Sequence, residues 1–220
     1  MSPTEAVNRA SKPVVTLWET YGSAMAEIGR RVACLLQLPL HDHAMMSSRQ
    51  TREGLSEAEQ KLVARIIRAA DRDHDLDTME MSSAERLISN DLLAQNTRLV
   101  LRQAAEGGVI LCRNSCHILR EWPNVLHVML DGPMPARLRN ASERYRLSRE
   151  EAAEAQLVDD RVRIQLSRMA YGYDPLDITN YDLVVNTSRM SIEEAAQVIA
   201  HAAQTRTTAA LKKGDGDCLG

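Results

Sequence analysis

"VVTLWETYGSAMAEIGRRVACLL", Val14 to Leu36, decides how the rest of this chain is read. Val14–Trp18 is apolar and β-branched at its start, which suits a buried strand. Gly22 opens a turn, and from Ser23 the apolar residues recur at helical spacing. Strand, tight turn and amphipathic helix in this order form the layout of a phosphate-binding loop. Such a loop normally carries several glycines and a basic residue. The glycines let backbone N–H groups turn onto phosphate oxygens with no Cβ in the way. Here only Gly22 is of that kind, and Ala24, Met25 and Ala26 stand where the others belong.

Composition narrows the alternatives. The 220 residues, 44% hydrophobic and 26% charged, fit one globular domain with a real core. Phe is absent and aromatics make up 3%, so the core must be aliphatic and there is no stacking platform for single-stranded nucleic acid. A net charge of −3 gives no general attraction to nucleic acid or anionic membrane. Lysine occurs only at Lys12, Lys61, Lys212 and Lys213, so the basic residues are nearly all arginine. Arginine suits forked phosphate contacts, although genome composition produces the same bias. Cys34, Cys112, Cys116 and Cys218 are too few and scattered for a disulfide scaffold. Cys112, Cys116 and His117 lack the second pair a zinc site needs, so no metal ligands are assigned. The start "MSPTEAVNRASKP" has no apolar signal core and no run reaches membrane-spanning length, so a cytoplasmic protein with reduced thiols is expected.

Strands are expected at Val14–Trp18, Pro39–Asp42, Val109–Cys112, Val125–Leu130 and Asp182–Val185. Helices are expected near Ser23–Gln37, Ser56–Asp71, Ser83–Ala105, Pro135–Arg146, Ser148–Ala170 and Ser191–Gln204. "SEAE", "SREE" and "SIEE" place serine before acidic first-turn residues, as capping boxes do. The alternation implies an α/β fold with a parallel sheet between two helical layers. The Val14–Trp18 strand is expected in the centre, with Val109–Cys112 and Val125–Leu130 on either side. One domain over residues 13–204 is expected, between an N-terminal tail at 1–12 and a disordered tail at 205–220. Ligands of such sheets sit beyond the strands' carboxyl ends. That singles out Glu19 to Ala26, Asp42, Arg113-Asn114, Asp131-Gly132 and Asn186 to Arg189.

The pieces together resemble the cytidylate kinase-like family, a branch of the nucleoside monophosphate kinases. "EGGVILCRN" is similar to that family's strand ending in Gly-Arg, and "PNVLHVMLDGP" to its next strand. "ERYRLSREEAAE" resembles the following helix. "DDRVRIQLSRMAYGYDPLDITNYDLVVNTSRMSIEEA" resembles the arginine-bearing lid, final strand and closing helix. "LPLHDHAMM" resembles the acidic turn after the second strand. Residues 47–84 match poorly, where the family keeps a variable helical substrate-binding insert, and the lid falls at about 155–180. The resemblance implies a P-loop fold, five parallel strands, ATP with Mg2+, and a CMP-like nucleoside monophosphate as acceptor. It implies that Gly22, Ser23, Ala24, Met25, Ala26 and Glu27 lie on the phosphate loop, and that Arg137 lies beside the donor base. It places Asp42 near the substrate phosphate and magnesium, and Arg113 and Asn114 on the monophosphate site. Arg161, Arg163 and Arg168 fall on the lid closing over the migrating phosphoryl group. Phosphoryl transfer requires such positioning and positive charge.

The loop departs from that pattern. Where the family reads roughly Gly-Ser-Gly-Gly-Arg-Glu, this chain reads "GSAMAE", and "WET" replaces Ser-Arg-Glu ahead of it. Asn114 stands where cytidylate kinases place an aspartate. Ala24 and Met25 constrict the cradle and Ala26 removes a cation, so three functions stay open. One is phosphoryl transfer from ATP to a CMP-like acceptor. Another is a pseudo-kinase acting through nucleotide binding, regulation or a protein partner. A phosphate-handling enzyme with another acceptor is the third. "DRDHDLDTMEMS", Asp71–Ser82, echoes a calcium loop, but Leu76 replaces the required Gly and Ser82 the bidentate Glu. His41, Asp42 and His43 at a strand end are not read as a metal site. If Arg113 grips a monophosphate, calorimetry will detect CMP binding, and Arg113→Ala will weaken it by roughly 1.5–3 kcal/mol, the worth of a charge-assisted contact. Unchanged affinity would make Arg113 structural.

Overall fold

The computed structural model describes residues 12–42, 57, 61, 64, 83–112 and 114–216. Five strands form one sheet: β1 (Val14–Glu19), β2 (Leu40–Asp42), β3 (Gly108–Leu111), β4 (Val125–Asp131) and β5 (Leu183–Asn186). Their spatial order is β2-β3-β1-β4-β5 and every pairing is parallel. β1 is central, flanked by β3 and β4 as the sequence predicts. Helix α1 is Met25–Leu36, α2 Ser83–Glu106, α3 Ser115–Ile118, α4 Met134–Tyr145, α5 Arg149–Tyr171 and α6 Ile192–Gly216. A 3-10 turn, Ile178–Asn180, precedes β5.

Side-chain alternation divides the core into two layers. Val15 and Leu17 of β1, Val109 and Leu111 of β3, and Val128 and Leu130 of β4 face one side. There they meet Ile28 and Val32 of α1 and Ile199 of α6. Val14 and Ile110 point the other way, against Val100 and Ala104 of α2 and Leu119 after α3. Fully burying each such Val, Leu or Ile stabilises the fold by about 1.5–3 kcal/mol. The result is a three-layer α/β/α architecture of the P-loop nucleoside monophosphate kinase type. A Cβ on Gly29 would meet Leu111 Cδ2 at 2.6 Å, so that glycine lets α1 lie close on the sheet.

Two differences from the sequence reading appear. Helix α3 is four residues long, too short to leave a periodic signal. Helix α6 continues to Gly216, beyond the Ser191–Gln204 helix that the sequence predicts. The hydroxyls of Thr205 and Thr207 bond the carbonyls of His201 and Ala203 four residues back, so this polar stretch continues the helix. The expected Ser56–Asp71 helix and the acidic Asp71–Ser82 stretch fall outside the described residues, apart from helical positions 57, 61 and 64. So do His43, Arg113 and residues 217–220.

Two glycines separate backbone strain from steric clash. Gly22 has φ +87° and a Cβ there would lie 2.4 Å from the Arg137 carbonyl oxygen, whereas Gly172, φ +66°, has open space. Gly172→Ala should therefore cost roughly 1–2 kcal/mol, the left-handed backbone penalty alone. Gly22→Ala should cost about 1–3 kcal/mol more, because a backbone atom must move. Denaturant melts of both variants check this; equal losses would remove the clash from the account.

Candidate functional site

The phosphate-loop turn forms at the carboxyl end of central β1. The Ser23 N–H donates to the Thr20 carbonyl at 3.2 Å, and Gly22 and Ala24 both take positive φ. Ala24 is the N-cap of α1 in left-handed conformation (φ 70°, ψ 28°) and has no side chain able to cap. An L-residue there is strained, since this region favours glycine. Ser23 is fully buried. Its hydroxyl lies 3.1 Å from that of Thr20, which donates to Asp131 Oδ1 at 2.6 Å. The loop is thereby tied to the end of β4.

A helix amino terminus leaves N–H groups unpaired and favours negative charge. In this chain the protein's own carboxylates supply it. Met25 N–H, the first of α1, donates to Glu19 Oε2 at 3.0 Å. Tyr21 N–H donates to Asp160 Oδ1 at 2.6 Å. Glu19 comes from the last residue of β1 and Asp160 from the middle of α5, so two chain segments converge on the cradle.

Arginines hold these carboxylates. Arg163 of α5 donates through Nε to Asp159 at 2.5 Å, through Nη1 to the Glu19 carbonyl at 3.2 Å and through Nη2 to Glu19 Oε1 at 3.5 Å. Arg137 of α4 donates through Nη1 to the Tyr21 carbonyl at 2.9 Å and to Asp160 Oδ2 at 3.0 Å, and through Nε to the Gly132 carbonyl at 2.9 Å. Gln156 also donates to Asp160, at 2.8 Å. The side chains of Glu19, Asp159 and Asp160 are 11%, 7% and 14% exposed, and those of Arg163 and Arg137 8% and 9%. Three buried acids against two buried cations leave this cluster with one net negative charge when all are ionised. Burial pushes the Glu19 carboxyl above its ordinary range, against the opposing pull of Arg163 and the Met25 N–H. Burial disfavours the Arg163 charge, but Asp159 and Glu19 outweigh it and the guanidinium stays protonated.

The other expected site residues are dispersed. Arg168 is exposed and pairs with Asp174 at 2.7 Å. Arg161 lies two residues before Arg163 on α5, half-buried. Glu27 pairs with Arg144 of α4 at 2.6 Å, and Ala26 beside it offers no charge. Asp42 ends the edge strand β2, exposed and separated from β1 by β3. Asn114 Oδ1 accepts from Ser167 at 2.7 Å and Tyr173 at 3.3 Å, which fastens the turn after β3 to the end of α5. Sequence reasoning missed Asp159, Asp160 and the partnership of Glu19 with Met25. The signal within reach was the acidic residue in "WET", which adds an anion as well as removing a cation.

Comparison with known proteins now has geometry to rest on. The family described as cytidylate kinase-like matches residues 14–189. This chain belongs to that family. It is 32% identical over 106 residues to a cytidylate kinase from Ignicoccus hospitalis, covering 46% of this chain and 59% of that protein. It is 33% identical over 121 residues to a uronate isomerase from Corynebacterium glutamicum, covering 54% of this chain but 23% of that protein. The chain thus spans less than two thirds of either relative. A crystal structure of an uncharacterized protein from Eubacterium ventriosum superposes with a TM-score of 0.61 at 15% identity, over 89% of this chain and 100% of that one. It shares the fold. A shikimate kinase from Acinetobacter baumannii, solved with shikimate, gives a TM-score of 0.44 at 14% identity, over 92% and 98% of the two chains. Among the described residues no helix is long and apolar enough to cross a membrane, and no three potential ligand side chains gather as a metal site.

The buried Glu19 gives a pH prediction. A carboxyl raised by burial binds its proton more tightly folded than unfolded. Stability is therefore fullest in acid and falls as pH rises through Glu19's ordinary range to its raised folded value. Glu19→Gln, an uncharged near-isostere, should raise the melting temperature at neutral pH, with the gain fading below the ordinary glutamate range. Melts across pH check this; a variant less stable at neutral pH would mean that the Arg163 pairing outweighs desolvation.

Proposed function

We propose that this protein is a catalytically impaired member of its family, a nucleotide kinase-like protein that binds a CMP-like nucleoside monophosphate but does not move phosphate from ATP at an ordinary kinase rate. The observation that carries this reading is the Glu19 carboxylate on the first N–H of α1, backed by Asp160 on the Tyr21 N–H. Both N–H groups belong to the turn that would meet the donor phosphates, and both are already satisfied by anions. With all its groups ionised the cluster around them is net negative, so polyphosphate would meet repulsion where transfer chemistry needs positive charge. Ala24 and Met25 add Cβ atoms to the same turn. ATP and Mg2+ therefore do not fit this cradle as it stands, and no step of transfer is derived through them.

The monophosphate half of the proposal is supported by family membership and by the cytidylate kinase named among the relatives. A protein partner or regulatory target follows as the route by which such a protein acts. The alternative is phosphoryl transfer from ATP to the monophosphate. The position of Arg137 at the loop favours it, because that guanidinium, held by α4, would face a phosphate if α5 lifted and took Asp160 away.

A coupled assay of ATP consumption against a panel of nucleoside monophosphates separates the two. The proposal expects turnover far below the roughly 1–100 per second of working kinases, with CMP binding still visible by calorimetry. It also expects Ala24→Gly, Met25→Gly and Ala26→Arg, made together with Glu19→Arg, to improve ATP affinity. The changes belong in one variant, since residues around one phosphate are coupled. Ordinary turnover by the native chain would establish the transfer reading. Absence of monophosphate binding would overturn the proposal.

A further inference from the structure

A second cavity lies at the opposite end of the sheet from the loop. Its volume is about 280 Å³, and Val125, His127 and Asp182 line it. Val125 pairs with Val14 at the amino end of β1, whereas Leu130 pairs with Glu19 beside the loop. At about 3.3 Å per residue, roughly 15–20 Å of strand separate cavity and loop.

Its walls combine rings with charged and polar side chains. His117, Trp122 and Tyr181 contribute rings. His117 stacks on Tyr173, with centroids 4.6 Å apart and 17° between planes. Arg120 Nη1 reaches His117 Nε2 at 3.1 Å, and since a guanidinium only donates, that nitrogen accepts. Burial, reinforced by Arg120, lowers the His117 pKa and keeps the imidazole neutral. Burial does the same to His127, whose Nδ1 meets Thr16 at 2.8 Å and whose ring also bonds the Leu119 backbone. Asp182 is used by the His127 N–H at 2.8 Å and by Arg206. With both histidines neutral, Arg120 and Arg206 against Asp182 leave one net positive charge among the lining residues, the carboxylate of Glu121 lying 3.9 Å from Arg120 Nε on the exposed outer side. Trp122 Nε1 is buried and has no acceptor among the described residues.

We infer that this cavity binds a small planar anion, an aromatic or heteroaromatic carboxylate, with its ring among His117, Trp122 and Tyr181 and its carboxylate toward Arg120. The volume is at the small end for ligand cavities and suits a single ring. An aromatic acid supplies what the walls lack: a flat face, acceptors, and one negative charge against one net positive. This site is independent of the phosphate loop and of the function proposed for it.

Benzoate is the probe, with cyclohexanecarboxylate as the non-planar acid and inorganic phosphate as the ringless anion. The chain has two tryptophans, Trp18 and Trp122, and only Trp122 lines the cavity, so the part of the fluorescence change that Trp122→Phe abolishes reports on it. Benzoate should give a saturable change and bind more tightly than either control. By calorimetry Arg120→Gln should weaken it roughly tenfold or more, as expected for loss of a charge-assisted contact. Trp122→Phe, which keeps a ring but loses the N–H, should weaken it less, while Glu19→Gln should leave it unchanged. Arg120 is exposed, so its variant is expected to fold, and a thermal melt verifies that. No saturable benzoate binding, equal binding of phosphate, or affinity indifferent to Arg120→Gln would each overturn the inference.

Discussion

A carboxylate on the amino end of one helix organises the functional half of this protein. Helix α1 begins at a left-handed alanine with no capping side chain, so its first N–H needs an acceptor from elsewhere. Glu19 provides one from the preceding strand. A buried Glu19 in turn needs a cation, and Arg163 answers from α5. Arg163 is buried as well and carries Asp159 one helical turn away. Each charge is tolerable only because of the next. Removing Arg163 would leave both Glu19 and Asp159 uncompensated, and breaking a buried pair in that way typically costs about 3–5 kcal/mol. The docking of α5 over the loop is thus the consequence of a capping problem at α1.

The same chain of dependence explains what was legible in the sequence. Strands β1, β3 and β4 are buried on both faces and read as near-continuous apolar runs, so the central sheet and its order follow from pattern and family likeness. Helix α5 announces itself through Ser148 and Glu151, which form a full capping box. Such signals are local. The Glu19, Asp159 and Asp160 cluster joins residues some 140 positions apart in the chain. In sequence those acids are ordinary charges on a polar helix and a strand end. Reading Arg161, Arg163 and Arg168 as a lid by likeness puts all three on one helix but cannot tell which arginine turns inward. Spacing alone does not favour Arg163, which buries, over Arg168, which pairs with Asp174 at the surface.

Gly22 illustrates why one retained motif residue is a poor guide to retained chemistry. In a working phosphate loop a glycine gives the nucleotide room. Here the space a Cβ would fill belongs to the Arg137 carbonyl, 2.4 Å away, and the turn needs φ +87°. Arg137 in turn holds the Tyr21 carbonyl and Asp160. Gly22 is therefore required by packing between the loop and α4, with or without a nucleotide.

The fold can carry this change because the sheet does not depend on the loop. Val15, Leu17, Val109, Leu111 and Val128 are almost wholly buried against α1 and α6. That layer persists whether the amino end of α1 faces a phosphate or a carboxylate. The helix end requires only negative charge at a fixed place, and electrostatics does not distinguish an intramolecular anion from a bound one. Entropy does. Glu19 and Asp160 are tethered, and their positions are fixed when the chain folds, whereas a free polyphosphate must surrender translation and rotation to take the same N–H groups. A ligand entering this cradle would also have to return two carboxylates to water, taking Glu19 from Arg163 and Asp160 from Arg137. The competition is therefore weighted against the ligand before the extra Cβ atoms of Ala24 and Met25 are considered.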